Sequence, residues 1–314
     1  MDKFSLPNMS VWQGRQDPED GELALRWHDK VKAWPLSGTA EPGVALVGFA
    51  CDEGVRRNKG RVGAAGAPLA IRKLLANSAW HLTRPVYDSG DLGCDDGDLD
   101  AAHARLAERV ARLLDEGHFP LVLGGGHEVA FGSWSGLNRH LVGQGRVGII
   151  NFDAHFDLRM KQEQASSGTP FFQIAEQCAA QGTPFTYACL GVAETANTQA
   201  LFARADALGV WYVKDEAMSE RSLPALLSGL DSFIAQCDHL YLTIDLDVLP
   251  CAVMPGVSAP AARGVELAVI EPLIAHIRAS GKLRLADLAE YNPNLDQDNR
   301  SARVAARLVH QLTK

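Results

Sequence analysis

From residue 43 onward the chain alternates between two apolar patterns. Short runs that are apolar throughout predict strands: "GVALVGFA" (43–50), "FPLVLGGG", "RVGIINFD", "FTYACLGV", "GVWYVKD", "DHLYLTIDLD" and "KLRLADLAEY". Between them, apolar residues recur at helical spacing in "GAPLAIRKLLANS" (66–78), "LDAAHARLAERVARLLDEG" (99–117), "EVAFGSWSGLNRHLVG", residues 265–280 and "SARVAARLVHQLT". Gly117 supplies the stop for the second of these. Strands apolar on both faces and separated by helices predict a mainly parallel sheet covered on both sides. No repeat, low-complexity tract or linker interrupts the alternation, so residues 43–314 read as one α/β/α domain. Residues 1–42 are mixed, and Trp12, Trp27 and Trp34 are expected to pin them to the main body as an arm.

Length and composition narrow the class. The chain has 314 residues, 46% of them hydrophobic, which is ample for a packed core. Its net charge of −8 argues against general nucleic-acid binding but not against a small anionic substrate. No apolar run approaches the ~20 residues needed to span a membrane. The opening "MDKFSLPNMS" lacks the basic and apolar regions of a signal peptide. Six scattered cysteines without a CxxC pair read as reduced thiols of a cytoplasmic protein.

In open parallel sheets, sites gather beyond the carboxyl ends of the strands. Three strands here end in ionisable groups. "PLVLGGGH" reaches His127 through three glycines, which let backbone approach closely. "IINFDAHFDLR" alternates Asp153, His155 and Asp157 with Ala154 and Phe156, so a continuing strand would turn the three to one face. "LYLTIDLDVLP" repeats the spacing with Asp245 and Asp247. Each fragment alone has an ordinary use as a turn or helix cap. Together they offer two imidazoles and four carboxylates, which repel one another unless cations intervene. Six ligands are too many for one tetrahedral zinc but suit two ions that share carboxylates. Oxygen-rich ligation favours a hard ion, and the histidines tilt the choice from Mg²⁺ towards Mn²⁺. Such a pair makes water reactive at neutral pH.

"GGGHE" (124–128), "DAHFD" (153–157) and "IDLDVLPCAVMPGVSAP" (244–260) resemble the three signatures of the arginase/agmatinase (ureohydrolase) family. The resemblance covers roughly residues 43–314. It implies a three-layer α/β/α sandwich with an eight-stranded parallel sheet and two manganese ions per subunit. One ion would be held by His127, Asp153, Asp157 and Asp245. The other would be held by Asp153, His155, Asp245 and Asp247, with Asp153 and Asp245 bridging. No ligand is missing, which counts against a non-catalytic, regulatory relative on the same scaffold. Three segments resemble the branch of the family that hydrolyses N-formimidoyl-L-glutamate to L-glutamate and formamide. They are "VWQGRQDPEDGELALRWH" (11–28), "CDEGVRRNKGRVGAAGAP" (51–68) and "SSGTPFFQI" (166–174). In the last, Ser167 stands where many relatives carry a proton-shuttling histidine, and a serine cannot buffer protons near neutrality.

The same resemblance assigns roles. Asp157 would carry a proton from the attacking water to the departing amine, and Glu290, in "LAEYNP", would face the formimidoyl cation. A substrate with two carboxylates needs cationic partners. Arg159 leads, because a guanidinium grips a carboxylate with two hydrogen bonds. Arg57, Asn58 and Arg61, beside Arg56 and Lys59 on the loop after the first strand, are further candidates, with Ser167, Glu194 and Asn197 behind them. Cys189 and Cys251 read as packing residues. The rival within the family is an agmatinase or guanidino-acid hydrolase. The partners expected are a small-molecule substrate and, by analogy, further copies of the chain in a homo-oligomer.

Overall fold

In the computed structural model, which describes residues 7–35 and 40–314, nine strands form one parallel sheet. They are β1 (Lys32–Ala33), β2 (Val44–Ala50), β3 (Val86–Gly93), β4 (Phe119–Leu123), β5 (Val147–Phe152), β6 (Thr186–Val192), β7 (Trp211–Lys214), β8 (His239–Asp245) and β9 (Leu283–Ala289). Their spatial order is β1-β3-β2-β4-β9-β8-β5-β6-β7. Residues 1–6, the start of the segment read for a signal peptide, and residues 36–39 of the arm lie outside the described residues. Among the described residues no helix is long and apolar enough to cross a membrane.

Both faces of the sheet are buried, which is why its strands read as unbroken apolar runs. Successive side chains of β2 part to opposite cores: Val44 and Leu46 join one, Ala45, Val47 and Phe49 the other. The first core lies under helices Ala67–Ala76, Leu223–Ile234, Leu267–Ala279 and Arg300–Thr313. The second lies under Leu99–Asp115, Val129–Leu141, Pro170–Gln181 and Gln199–Ala207. The α/β/α sandwich is therefore present.

The sheet has nine strands where eight are expected, because the arm adds the two-residue edge strand β1 beside β3. The apolar pattern also misses β3. Its sequence, "VYDSGDLG", buries Asp88 and Ser89. A buried carboxylate is tolerable only when paired. Arg72 supplies the pair, with Nε 2.9 Å from Asp88 and Nη1 2.5 Å from Asp91. The arm uses the same group: Trp12 Nε1 donates to Asp88 Oδ2 at 2.8 Å. Trp27 is buried edge-on against Trp80, and Trp34 lies beneath the guanidinium groups of Arg109 and Arg112.

Candidate metal centre

Four neighbouring strands, β4, β9, β8 and β5, end at one place. The segments that follow them carry His127, Glu290, Asp245 with Asp247, and Asp153 with His155 and Asp157. The glycines before His127 serve close approach: a Cβ at Gly125 would collide with the Cys51 carbonyl, and one at Gly124 with that of Leu288. The turn is held by Gly126 N–H donating to Cys51 O at 3.0 Å and Gly124 N–H to Leu288 O at 2.8 Å.

Strand alternation is not what gathers the acids. β5 ends at Phe152, and the following residues bend away from the sheet. Asp157 has a left-handed backbone (φ 48°), a conformation that costs a non-glycine residue about 1–2 kcal/mol. Side chains hold the bend. Asp153 Oδ1 accepts from His155 N–H at 2.6 Å, and Asn197 Oδ1 accepts from Phe156 N–H at 3.1 Å. Likewise Asp247 lies on a 3₁₀ turn after β8, with its N–H donating to Asp245 Oδ1 at 2.9 Å. Hydrogen bonds of loop backbone, not the pleat, aim these carboxylates inward.

Two groups of potential ligands result, each with its donor atoms within 4.8 Å of one another: His127, Asp153, Asp157 and Asp245, and Asp153, His155 and Asp247. Asp153 belongs to both. Asp245 falls in the first group alone, although the family pattern gives it to both ions. His127 Nδ1 lies 3.1 Å from Asp153, 2.9 Å from Asp157 and 3.1 Å from Asp245, yet forms no aligned hydrogen bond with any of them. A single ring nitrogen cannot satisfy three carboxylates, whereas a divalent cation among them can. His155 Nδ1 is 3.1 Å from Asp247 and 3.6 Å from Asp153.

The electrostatics point the same way. Burial and the charges of Asp247 and Asp153 push Asp245 well above the usual carboxylate range. Burial and Asp153 also raise Asp157. Burial opposes the charge on Asp153, but the imidazoles of His127 and His155 outweigh it and hold that carboxyl low. Glu290 is pushed up to about 8 by burial and by the charge of Glu128. With protein groups alone, several acids would prefer to be neutral. The donor set, all oxygen and imidazole nitrogen, suits hard divalent ions such as Mn²⁺.

Above the carboxylates opens a cavity of about 460 Å³. His155, Asp157, Asp245, Asp247 and Glu290 line it together with Asn58, Lys59, Arg61, Arg159 and Ser167. Glu290 Oε1 accepts from His127 N–H at 2.8 Å, so this residue also braces the histidine turn. Neither Arg57 nor Glu194 is in the lining. Arg57 is occupied by Glu53 at 2.8 Å and by the carbonyls of Gly97 and Ala165. Glu194 pairs with Lys214 on the surface. Arg61 donates to the carbonyls of Ser258 (2.9 Å) and Val257 (2.7 Å). Asn197 lines the cavity, but its amide is bonded to the backbone at Ala154, Phe156 and Ala193. Among the described residues the side chains of Arg159 and Lys59 form no hydrogen bond or ion pair, and both face this space. Sequence inspection overlooked Ser258 in the wall, because its position depends on a contact with residue 61, almost two hundred positions away. Cys189 is buried and Cys251 exposed, and all six cysteines are free thiols.

Comparison with known proteins adds to this geometry. A family model described as "Arginase family" matches residues 42–314. The chain is 95% identical to formimidoylglutamase of Aeromonas salmonicida (strain A449) over the full length of both proteins. It is 56% identical to that of Chromobacterium violaceum over 98% of this chain and 99% of the relative. Among solved structures, formimidoylglutamase from Bacillus subtilis subsp. subtilis str. 168 superposes with a TM-score of 0.84 at 23% identity, covering 96% of this chain and 93% of the other. Formiminoglutamase of Trypanosoma cruzi, solved with Mn²⁺, gives 0.78 at 24% identity, covering 98% of each chain. These two likenesses carry the fold.

Proposed function

Starting from the chain's membership of the arginase family, to which it plainly belongs, we propose that it hydrolyses N-formimidoyl-L-glutamate to L-glutamate and formamide with two bound manganese ions. The observation that carries this is the lining of the cavity: within about 460 Å³ it combines metal-type ligands and Glu290 with Arg159 and Lys59, whose side chains have no hydrogen bond or ion pair among the described residues. A substrate with a cationic formimidoyl end and two carboxylates matches that combination of charges. High identity to proteins named formimidoylglutamase supports the same choice.

His127, Asp153, Asp157 and Asp245 would hold one ion, and Asp153, His155 and Asp247 the other, with Asp245 as a second bridge. When bound, the pair supplies a water deprotonated at neutral pH and stabilises negative charge developing on the attacked group. The water oxygen bonds to the formimidoyl carbon, the bond from that carbon to the glutamate nitrogen breaks, and the nitrogen leaves with a proton as the amine. Asp157, in the lining of the cavity, carries that proton. Glu290 pairs with the formimidoyl cation and orients it. Arg159 grips one carboxylate, and Lys59, which also lines the cavity and forms no ion pair among the described residues, takes the other. Asn58 and Ser167 supply neutral polar contacts. Arg61 acts as a strut that shapes the mouth. The free thiols are in keeping with a reducing, cytoplasmic setting.

A substrate panel tests the proposal. Manganese-loaded protein is offered N-formimidoyl-L-glutamate, arginine, agmatine and guanidino acids, and release of glutamate, formamide or urea is measured. Equimolar formamide and glutamate are expected. Urea from agmatine or a guanidino acid, with no turnover of the formimidoyl substrate, would replace this function with another of the family.

A further inference from the structure

Behind His127, on the side away from the acids, lies a buried polar group that the proposed reaction does not use. His127 Nε2 is 3.1 Å from Thr243 Oγ1. Thr243 and Asp287 face each other in register across β8 and β9. Asp287 Oδ2 accepts from the Tyr241 hydroxyl at 2.5 Å, while its Oδ1 has no aligned partner. Burial raises the pKa of Asp287, and the nearby hydroxyls of Thr243, Tyr241 and Ser133 oppose that rise. All five side chains are fully buried. Such an arrangement is costly unless its directions are consistent.

The directions follow from counting hydrogens. A carboxylate has none to give, and a hydroxyl has one. With the Thr243 hydrogen turned to Asp287, Oγ1 is left as an acceptor towards His127. The imidazole hydrogen must then sit on Nε2, and the lone pair falls on Nδ1, the atom facing Asp153, Asp157 and Asp245. We propose that Asp287, acting through Thr243, is a positioning residue that sets the tautomer of His127 and thereby the affinity of the ion this histidine holds. The inference rests on the two-ion reading of the site. Partners of this kind typically contribute 10–100-fold to metal affinity.

Asp287→Asn keeps the shape but offers an amide donor to Thr243, whose hydrogen can then turn to Nε2 and move the ring hydrogen to Nδ1. Thr243→Val removes the link, and Thr243→Ser preserves it. Manganese titrations followed by electron paramagnetic resonance read both sites, and melting of the metal-free proteins reports the fold. One of the two ions should bind about 10–100-fold more weakly in Asp287→Asn and Thr243→Val, with near-normal binding in Thr243→Ser and metal-free melting unchanged across the set. If Asp287→Asn does not fold, the Thr243 pair carries the test alone. Undiminished binding in Thr243→Val, or binding by Thr243→Ser as weak as in Thr243→Val, overturns the inference while leaving the two-ion reading intact. A wild-type protein that binds no manganese removes that reading and this inference together.

Discussion

Replacing Arg159 by methionine keeps the aliphatic stem and removes the guanidinium. The stem has a place to lie: a Cβ at Gly168 would come within 2.8 Å of Arg159 Cδ and 3.2 Å of Asn58 Nδ2, so that glycine leaves room for both. Among the described residues no group balances the guanidinium, so its loss strands no buried charge there. What disappears is its hold on a substrate carboxylate. Hydrogen bonds to charged groups contribute about 1.5–3 kcal/mol. Arg159 is exposed, and solvent screening puts it at the lower end, about 1.5 kcal/mol. That corresponds to about tenfold in affinity. The expected result in steady-state kinetics on N-formimidoyl-L-glutamate is a KM raised about tenfold with kcat near wild type, and Arg159→Lys falling between. Manganese content, measured on the same samples, should not change. An unaltered KM would remove Arg159 from substrate recognition, and lost manganese would show that the residue supports the metal site instead.

Asp247→Ala should halve the bound manganese and abolish turnover, checked by elemental analysis; full activity with one ion would end the two-metal account. His103 is wholly buried between Phe49 and Phe131, and burial pulls its pKa from 6.5 down to about 4. Between those values the unfolded chain binds a proton that the folded chain refuses, so stability is full above pH 6.5 and falls towards pH 4, by up to about 3 kcal/mol. His103→Leu should flatten that part of the pH profile in urea unfolding; an unchanged slope would assign it to other groups. Asp88→Ala leaves Arg72 buried with Asp91 alone and releases Trp12, which should cost about 3 kcal/mol and lower the melting temperature, with metal binding retained.

Strands β2, β4, β5, β6 and β8 were legible along the chain because both their faces are buried, and an element with no wet face must be apolar throughout. β3 was not, because a polar strand becomes buriable only once Arg72 and Trp12, which are distant in sequence, neutralise Asp88. The same division runs through the site. The ligand types at 127, 153, 155, 157, 245 and 247 could be read from strand ends, since few other uses call for so many acids and imidazoles there. Their direction could not, because β5 and β8 stop short and loop hydrogen bonds take over the aiming.

Among the cations, sequence alone put Arg159 first and could not choose between Arg57 and Arg61 as further candidates. Only the folded chain gives Arg57 to Glu53, Arg61 to two carbonyls, and leaves Arg159 and Lys59 facing the cavity. Local pattern thus determined which residues are apolar, which can bind metal and where elements begin. Tertiary structure decided that β4, β9, β8 and β5 are neighbours and which charges already have partners. The physical reason is range: periodicity and residue chemistry act over a few positions, whereas pairing and desolvation depend on groups that meet only when the sheet is assembled.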